Sequence, residues 1–113
     1  MRFHKYGAKK TEVDGIKFMS QAEANRYVDL KKLEKVGVIQ NLSLQPRFTL
    51  QEGFVNVDTL NKETAIVYVG DFMYDEKGET VVEDVKGFKT AAYKLKRKLF
   101  LFKYQNQYKH IET

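Results

Sequence analysis

Cysteine is absent from the 113 residues of this chain. Its absence excludes disulfide bridges, cysteine-ligated zinc and cysteine nucleophiles, so the fold must depend on packing alone. Long hydrophobic runs are absent too, and no stretch approaches the roughly 20 apolar residues that a membrane span needs. The N-terminus also lacks the apolar segment of a signal peptide. We therefore expect a cytoplasmic protein without a membrane partner.

The length of the chain is that of one domain. Hydrophobic residues make up 42% and aromatic residues 13% of the sequence, which suffices for one modest core. We expect a single domain over residues 1–113, with an N-terminal arm and hairpin over 1–19 and a core over 20–113.

Acidic residues are missing from residues 86–109, where eight bases stand without a counter-charge. Residues 63–84 have the opposite bias, with seven acids and one base. A basic block suits a polyanion such as DNA, whereas the acidic block would repel DNA unless a cation intervened. The pattern therefore indicates either a metal-dependent nucleic-acid site or a solvated basic helix beside an ordinary acidic hairpin.

The first half of the chain contains signals for a hairpin, a helix and a strand. Asp14-Gly15 suits a tight turn and predicts a β-hairpin. Ser20, with Glu23 three residues later, predicts the start of a helix over about 20–36. Alternating polar and apolar residues predict a strand over 45–50.

The second half predicts a hairpin, a second helix and a last strand. A β-rich run over 63–74 indicates one long central strand, joined by a turn of three to five residues to a strand over 80–86. Thr90 suits the N-cap of the second helix, and 108–111 suits a short strand. The expected fold is α/β, a mixed sheet flanked by two helices. The helix face expected to be buried consists of Ala92, Leu95, Leu99 and Phe102.

Two aspartates and a lysine stand out in the predicted strands. Asp71 interrupts an apolar strand, where a charge is costly unless it is paired or bound to metal. Asp84 and Lys86 are two residues apart and therefore share a face of the next strand. Because the hairpin makes the two strands neighbours, both aspartates can reach one cation. Alternatively, Asp84 and Lys86 form an ordinary surface ion pair.

These residues have the chemistry of a Mg²⁺ site. Asp71, Asp84 and the backbone carbonyl of Val85 offer hard oxygen ligands for Mg²⁺, with Mn²⁺ as its expected substitute. Lys86 could orient the attacking water or help to deprotonate it, while the ion stabilises charge on the phosphate. The pattern is therefore typical of phosphodiester hydrolysis.

Three other polar residues have alternative interpretations. Glu23 either completes a capping box with Ser20 or joins the metal site, since it shares the helix face expected to contact the sheet. Glu83 competes with Asp84 for the role of second acid, but the strand period favours Asp84. Gln45 either faces the site or forms the turn before Pro46.

The order of these features resembles the PD-(D/E)XK nuclease superfamily, whose core order is helix, three strands, helix, strand. The sequence is also similar to a family of short phage-encoded proteins that is catalogued as a domain of unknown function and placed in that superfamily. The similar segments are 6–10 (YGAKK), 20–24 (SQAEA), 44–48 (LQPRF), 70–72 (GDF) and 83–88 (EDVKGF).

This resemblance implies a Mg²⁺-dependent DNA endonuclease that acts in phage replication or recombination. Asp71 and Asp84 match the metal-binding acids, Lys86 the catalytic lysine, and Glu23 the helix-borne acid of some members. Gly70 departs from the pattern, because it stands where the name of the motif has proline. A phage-encoded protein would act in the cytoplasm of the host cell.

The basic helix would then bind DNA phosphates without reading sequence. We therefore expect cleavage of branched DNA or a Holliday junction, and two symmetric cuts would need a homodimer. The helix face expected to serve that dimer consists of Tyr93, Phe100 and Tyr104. The alternative is that these residues widen the contact with the sheet. The residues expected to contact phosphate are Lys89, Lys94, Arg97 and Lys98.

Two functions of other classes compete with the nuclease. One is a DNA-binding module of the same fold that uses its acids structurally, and the other is an accessory factor that binds proteins. Acids that face a phosphate serve no purpose in a protein that only binds DNA, so the sequence favours the enzyme.

Overall fold

The computed structural model describes residues 11–87 and 89–113, so the first ten residues of the arm and hairpin predicted over 1–19 lie outside the described residues, as does the similar segment 6–10. The described segments contain two helices and ten strands. In chain order these are β1 (Thr11–Val13), β2 (Ile16–Phe18), α1 (Gln21–Lys35), β3 (Gln40–Leu44), β4 (Arg47–Gln51), β5 (Phe54–Val55), β6 (Lys62–Glu63), β7 (Ile66–Val69), β8 (Phe72–Glu76), β9 (Glu79–Asp84), α2 (Ala91–Tyr104) and β10 (Lys109–Glu112).

The main sheet has four strands in the order β10-β9-β8-β3. The two pairs that include β8 are antiparallel, whereas β10 runs parallel to β9 after the crossover through α2. The fold is therefore α/β with a mixed sheet and two helices, as predicted. Neither helix in the described part of the chain is long and apolar enough to cross a membrane.

Both predicted hairpins form, and each closes through two residues with positive φ angles. In β1–β2 these are Asp14 at 53° and Gly15 at 76°. In β8–β9 they are Lys77 at 51° and Gly78 at 79°, and Glu76 pairs directly with Glu79. Positive φ angles at both turn positions give the twist that a two-residue hairpin needs. The second turn therefore contains two residues, fewer than the three to five predicted.

Helix α1 begins where the sequence predicts. The Ser20 hydroxyl accepts a hydrogen bond from the backbone N–H of Glu23 at 3.1 Å, which satisfies a free amide of the first turn. The helix and the β1–β2 hairpin cover one face of the sheet. The buried core on this face consists of Phe18, Ala24, Tyr27, Leu30, Ile39, Phe72, Tyr74 and Val81.

The opposite face of the sheet packs against α2 and a two-stranded ribbon of β4 and β7. Its buried core consists of Phe48, Tyr68, Val82 and Phe100. Val81 and Val82 belong to different cores because consecutive residues of a strand point to opposite faces. The sheet is therefore the middle layer of three.

The prediction of one long strand over 63–74 is wrong. The segment forms β6, β7 and β8, which belong to three different sheets. The chain leaves β7 at Gly70 and enters the main sheet at Phe72, so Asp71 lies at the corner between them. Strand β3 was not predicted, and the strand predicted over 45–50 forms as β4 at Arg47–Gln51.

The face of α2 that the sequence predicted as buried is exposed. Leu95 is 60% exposed, Leu99 39% and Phe102 86%, and Ala92 is exposed as well. Phe100 is fully buried instead, because its ring packs against Phe48 and Tyr68.

The prediction that Tyr93, Phe100 and Tyr104 form an exposed dimer surface is therefore wrong too. Phe100 belongs to the core, and the other two are partly buried beside it. These aromatic residues widen the contact of α2 with the rest of the fold, which was the alternative interpretation of this face.

Candidate active site

Asp71 lies at the corner between β7 and β8, where backbone hydrogen bonds hold it on both sides. Its N–H donates to the Glu83 carbonyl and its carbonyl accepts from Gln45, each at 3.0 Å. Its carboxylate Oδ2 accepts from the N–H of Val85 at 2.7 Å. The side chain is therefore fixed against the end of β9.

Asp84 is the last residue of β9 and its side chain is fully buried. The Tyr68 hydroxyl donates to its Oδ2, and the Nε2 of His110 lies 3.0 Å from the same oxygen. The Tyr93 hydroxyl lies at 3.4 Å. The other oxygen, Oδ1, has no hydrogen-bond partner among the described residues. A buried carboxylate oxygen without a donor is costly unless a cation faces it.

Lys86 is the cation nearest to both aspartates in the described segments. Its Nζ lies 3.4 Å from Asp84 Oδ1 and 3.9 Å from Asp71 Oδ2. The strand ends at Asp84, so Lys86 lies beyond the regular pairing, yet it points to the side that the two-residue period predicted. Its Nζ also lies 4.7 Å from the centre of the Tyr93 ring, a distance typical of a cation–π contact.

Glu23 approaches this group from α1 and lines a cleft together with Asp71 and Gln45. Burial raises the pKa of the Glu23 carboxyl, and the negative charge of Asp71 raises it further. The Ser20 hydroxyl lies 3.5 Å from Glu23 Oε1, so the residue contributes to the helix cap and also faces the cleft. The two interpretations of Glu23 are therefore compatible.

The pKa of Asp71 is raised as well. Burial is the largest cause, and the hydrogen bond from Val85 and the charge of Lys86 offset only part of it. Two carboxyl groups of raised pKa at one cleft mark a place where negative charge is insufficiently compensated within the protein.

Glu83 lies on the other face of β9, where both of its carboxylate oxygens accept hydrogen bonds. Arg26 donates to both of its oxygens, at 2.6 and 3.0 Å, and the hydroxyls of Tyr74 and Thr113 donate at 2.6 and 2.9 Å. Burial opposes ionisation, but these hydrogen bonds outweigh it and lower the pKa of Glu83. The contacts of Glu83 are those of an anchor between α1 and the sheet.

Gly70 departs from the nuclease motif for a reason that its surroundings supply. Its N–H donates to the Pro46 carbonyl at 3.0 Å, and proline in its place would have no N–H to donate. A Cβ at this position would lie 3.0 Å from Val82 and 3.4 Å from the Pro46 ring. The Pro46 ring therefore packs against Gly70 and leaves little room there for a side chain.

Gln45 forms the turn before Pro46, with a φ of 52°, and it is also among the residues that line the cleft beside Glu23 and Asp71.

The four predicted phosphate-binding residues line one groove beside the aspartates, together with Tyr93 and Glu112. Lys89 Nζ lies 2.9 Å and Arg97 Nε 3.6 Å from the Glu112 carboxylate. Lys94 and Lys98 are exposed and form no ion pair with another described residue. The Tyr93 hydroxyl donates to Glu112 at 2.6 Å, so Tyr93 connects this groove to Asp84.

Sequence reasoning missed four residues around this site, because each is brought in by tertiary structure. Tyr68 and His110 contact Asp84 from β7 and β10, and Glu112 neutralises part of the basic groove. Arg26 pairs with Glu83 across 57 residues. Only Glu112 carried a signal in the sequence, as an acid that follows the basic block at short distance.

The donors available for a metal ion are few. In residues 11–87 and 89–113 no three histidine or carboxylate side chains are arranged to hold a metal by themselves. The pair of aspartates with the Val85 carbonyl is a smaller set, and Mg²⁺ usually takes one or two carboxylates and keeps several waters. The buried Oδ1 of Asp84, without a hydrogen-bond donor, fits such an ion.

Comparison with known proteins places the chain in a family. Residues 3–112 match the family described as protein of unknown function, DUF1064. Searches of the curated proteins and of the solved structures found no match. Because the family match covers almost the whole chain, the protein belongs to the DUF1064 family.

Proposed function

We propose that this protein is a Mg²⁺-dependent DNA endonuclease of the PD-(D/E)XK type. One observation carries the proposal: Asp84 Oδ1 is buried without a hydrogen-bond donor and lies 3.4 Å from Lys86 Nζ, with Asp71 at the corner that precedes the adjacent strand. A purely structural aspartate would be expected to use both oxygens, as Glu83 does. The order of helix, sheet, helix and parallel last strand supports the same superfamily.

Asp71, Asp84 and the Val85 carbonyl would hold the ion, with Glu23 beside them. When bound, Mg²⁺, or Mn²⁺ in its place, would stabilise negative charge on the scissile phosphate. The raised pKa values of Glu23 and Asp71 are consistent with a site where a cation supplies the missing positive charge.

The side chains of the protein itself position the reactants. Lys86, ion-paired with the two aspartates, would orient the attacking water. The oxygen of the water bonds to phosphorus as one phosphorus–oxygen ester bond breaks, a proton of the water passes to solvent, and the leaving oxygen takes a proton from solvent. Tyr68 and His110 would keep Asp84 in a single orientation during these steps.

The basic groove supports DNA as the substrate. Lys89, Lys94, Arg97 and Lys98 lie at one side of the aspartates, where they can contact phosphates next to the cut. Such contacts give affinity without sequence preference. We therefore propose a structure-specific enzyme that cuts branched DNA or a Holliday junction, in phage replication or recombination.

The test is cleavage of linear, flapped and four-way-junction DNA by the purified protein, with Mg²⁺, with Mn²⁺ and with a chelator. We expect cleavage only with the metal, and no cleavage by Asp84→Asn. Calorimetry with Mn²⁺ measures the site separately. DNA binding without cleavage and without a Mn²⁺ site would contradict the proposal and favour the non-catalytic DNA-binding module.

A further inference from the structure

The hairpin of β5 and β6, with its flanking residues, forms an arm over residues 52–63. Its two strands pair with each other and form no sheet with any other described strand. Four apolar side chains of this arm lie largely in solvent. They are Phe54 (51% exposed), Val55 (52%), Val57 (86%) and Leu60 (76%). An isolated two-stranded hairpin is marginally stable in water, and clustered exposed apolar residues indicate an interaction site.

The tip of the arm is nevertheless well defined. The side chain of Asn56 accepts from the N–H groups of Asp58 and Thr59 at 2.9 and 3.2 Å, and its carbonyl accepts from Leu60 at 2.8 Å. Leu60 has a φ of 62°, a conformation that is uncommon for a leucine. The hydrogen bonds of the tip therefore fix a backbone conformation in which the side chains of Val57 and Leu60 stay exposed to solvent.

A second exposed apolar surface lies on α2. We call it the α2 ridge, formed by Leu95, Leu99 and Phe102, which the sequence had predicted as core. Leu95 and Phe102 are on the side of the helix opposite Phe100 and face away from the sheet, and Leu99 lies at the edge of that side. The arm and the α2 ridge are therefore both exposed apolar surfaces of the described part of the chain.

The charges around the two surfaces are complementary. The arm has three acids, Glu52, Asp58 and Glu63, and one base, Lys62. The α2 helix has no acid and five bases, which are Lys94, Lys96, Arg97, Lys98 and Lys103. Two α2 ridges brought together would place like charges side by side, and the acidic arm is unsuited to DNA. An acidic arm docked on the basic helix would pair opposite charges and would also bury the apolar residues of both surfaces.

We propose that the arm of one copy of this protein docks on the α2 ridge of a second copy. The exchange is reciprocal, because each copy has one arm and one ridge, and two such contacts related by a two-fold axis close the dimer. This surface differs from the Tyr93, Phe100 and Tyr104 face that the sequence suggested for a dimer. It does not involve the metal site, but three of the α2 bases, Lys94, Arg97 and Lys98, also line the groove proposed for DNA, so both measurements below are made without DNA.

The absence of native cysteine allows a direct test by cross-linking. One chain carries Val57→Cys on the arm, and the other carries Phe102→Cys on the α2 ridge and a tag that separates the mixed dimer on a gel. Oxidation of the mixture should give the mixed disulfide in high yield. The matched control pairs Phe102→Cys with Lys77→Cys, which is exposed on the β8–β9 turn and should give little product.

Light scattering on the unmodified protein gives the second measurement, and we expect a dimer. Val57→Asp with Leu60→Asp should give a folded monomer, since both residues are exposed in the single chain and their replacement leaves its core intact. A monomeric unmodified protein would overturn the proposal. Equal cross-linking in the control pair, or a dimer that survives the double aspartate variant, would also overturn it.

Discussion

His110 Nε2 and Asp84 Oδ2 lie 3.0 Å apart in the interior of the protein, between β10 and β9. The histidine side chain is 2% exposed and that of Asp84 is fully buried. The Tyr68 hydroxyl lies 2.8 Å from the same Nε2 and also donates to Asp84 Oδ2. The Oδ2 of Asp84 is thus fixed by Tyr68 and His110, whereas Oδ1 is directed toward Lys86.

Tyr68→Phe should lower the cleavage rate about 10-fold to 100-fold, because loss of a hydrogen bond that orients a metal ligand has effects of this size. Mn²⁺ affinity measured by calorimetry should fall in parallel. The matched control is Tyr104→Phe, whose hydroxyl belongs to the same aromatic cluster but donates to the Thr49 carbonyl. If both variants lose activity equally, the hydroxyl of Tyr68 does not act through Asp84.

Asp84→Asn and Lys86→Ala should each abolish metal-dependent cleavage, and the loss for Lys86→Ala should be about 100-fold or more. Both variants should keep the native circular dichroism spectrum, since asparagine can still accept from Tyr68 and Lys86 is partly exposed. Asp75→Asn is the control, because this acid is on the neighbouring strand and is paired with Asn41 and Thr80. Activity that survives in Asp84→Asn but is lost in Glu83→Gln would reverse the assignment of the second acid.

Glu83→Gln should leave Asp71, Asp84 and Lys86 in place but destabilise the protein by about 3 kcal/mol, the lower end of the range for a buried ion pair broken from one side, because Arg26 is partly exposed. The pKa of Glu83 is lowered from its usual 4.5, so its contribution to stability is complete above pH 4.5 and declines as the pH falls through the folded-state value. Denaturant unfolding of both proteins should therefore show a difference at pH 7 that narrows below pH 4.5. A constant difference over that range would mean that the charge of Glu83 does not contribute.

Local sequence patterns were sufficient to predict the hairpin turns, both helix starts and the convergence of Asp71, Asp84 and Lys86. These features depend on residues that are neighbours in the chain or across one hairpin, where turn chemistry and the two-residue period operate. The break at Gly70 was not predictable, because the apolar run continues through it while the chain changes sheets.

The orientation of α2 was not predictable either. The helix has two apolar faces, and hydrophobic periodicity does not distinguish between them. The aromatic side chains of Phe48 and Tyr68, from strands distant in sequence, select Phe100 as the buried residue. Leu99 and Phe102 are consequently exposed, although the same periodicity predicted them as core.

Replacement of Lys94, Arg97 and Lys98 together by alanine should flatten the salt dependence of DNA binding. Each phosphate contact that is lost removes about 0.9 from the slope of log affinity against log salt. The control replaces Lys31, Lys32 and Lys35 by alanine. This change removes the same amount of positive charge from α1, away from the groove. The slope is measured by fluorescence anisotropy in the presence of a chelator, so that no cleavage occurs. Equal slopes for the two triple variants would place the DNA elsewhere.

Glu112→Gln should have the opposite effect and strengthen DNA binding. The Glu112 carboxylate accepts from Lys89 at 2.9 Å and lies 3.6 Å from Arg97. It therefore pairs with two of the four bases of the groove, in the position that a phosphate would take. Hydrogen bonds from Tyr93 and Lys89 lower the pKa of Glu112, which is therefore ionised at neutral pH. Loss of its charge would release both bases, and the slope should become steeper by up to about 1.8, or 0.9 for each phosphate gained. Glu79→Gln makes the same change of charge at the exposed start of β9 and should leave the slope unchanged. An affinity that falls in Glu112→Gln would mean that the carboxylate holds the bases in position for DNA rather than competing with it.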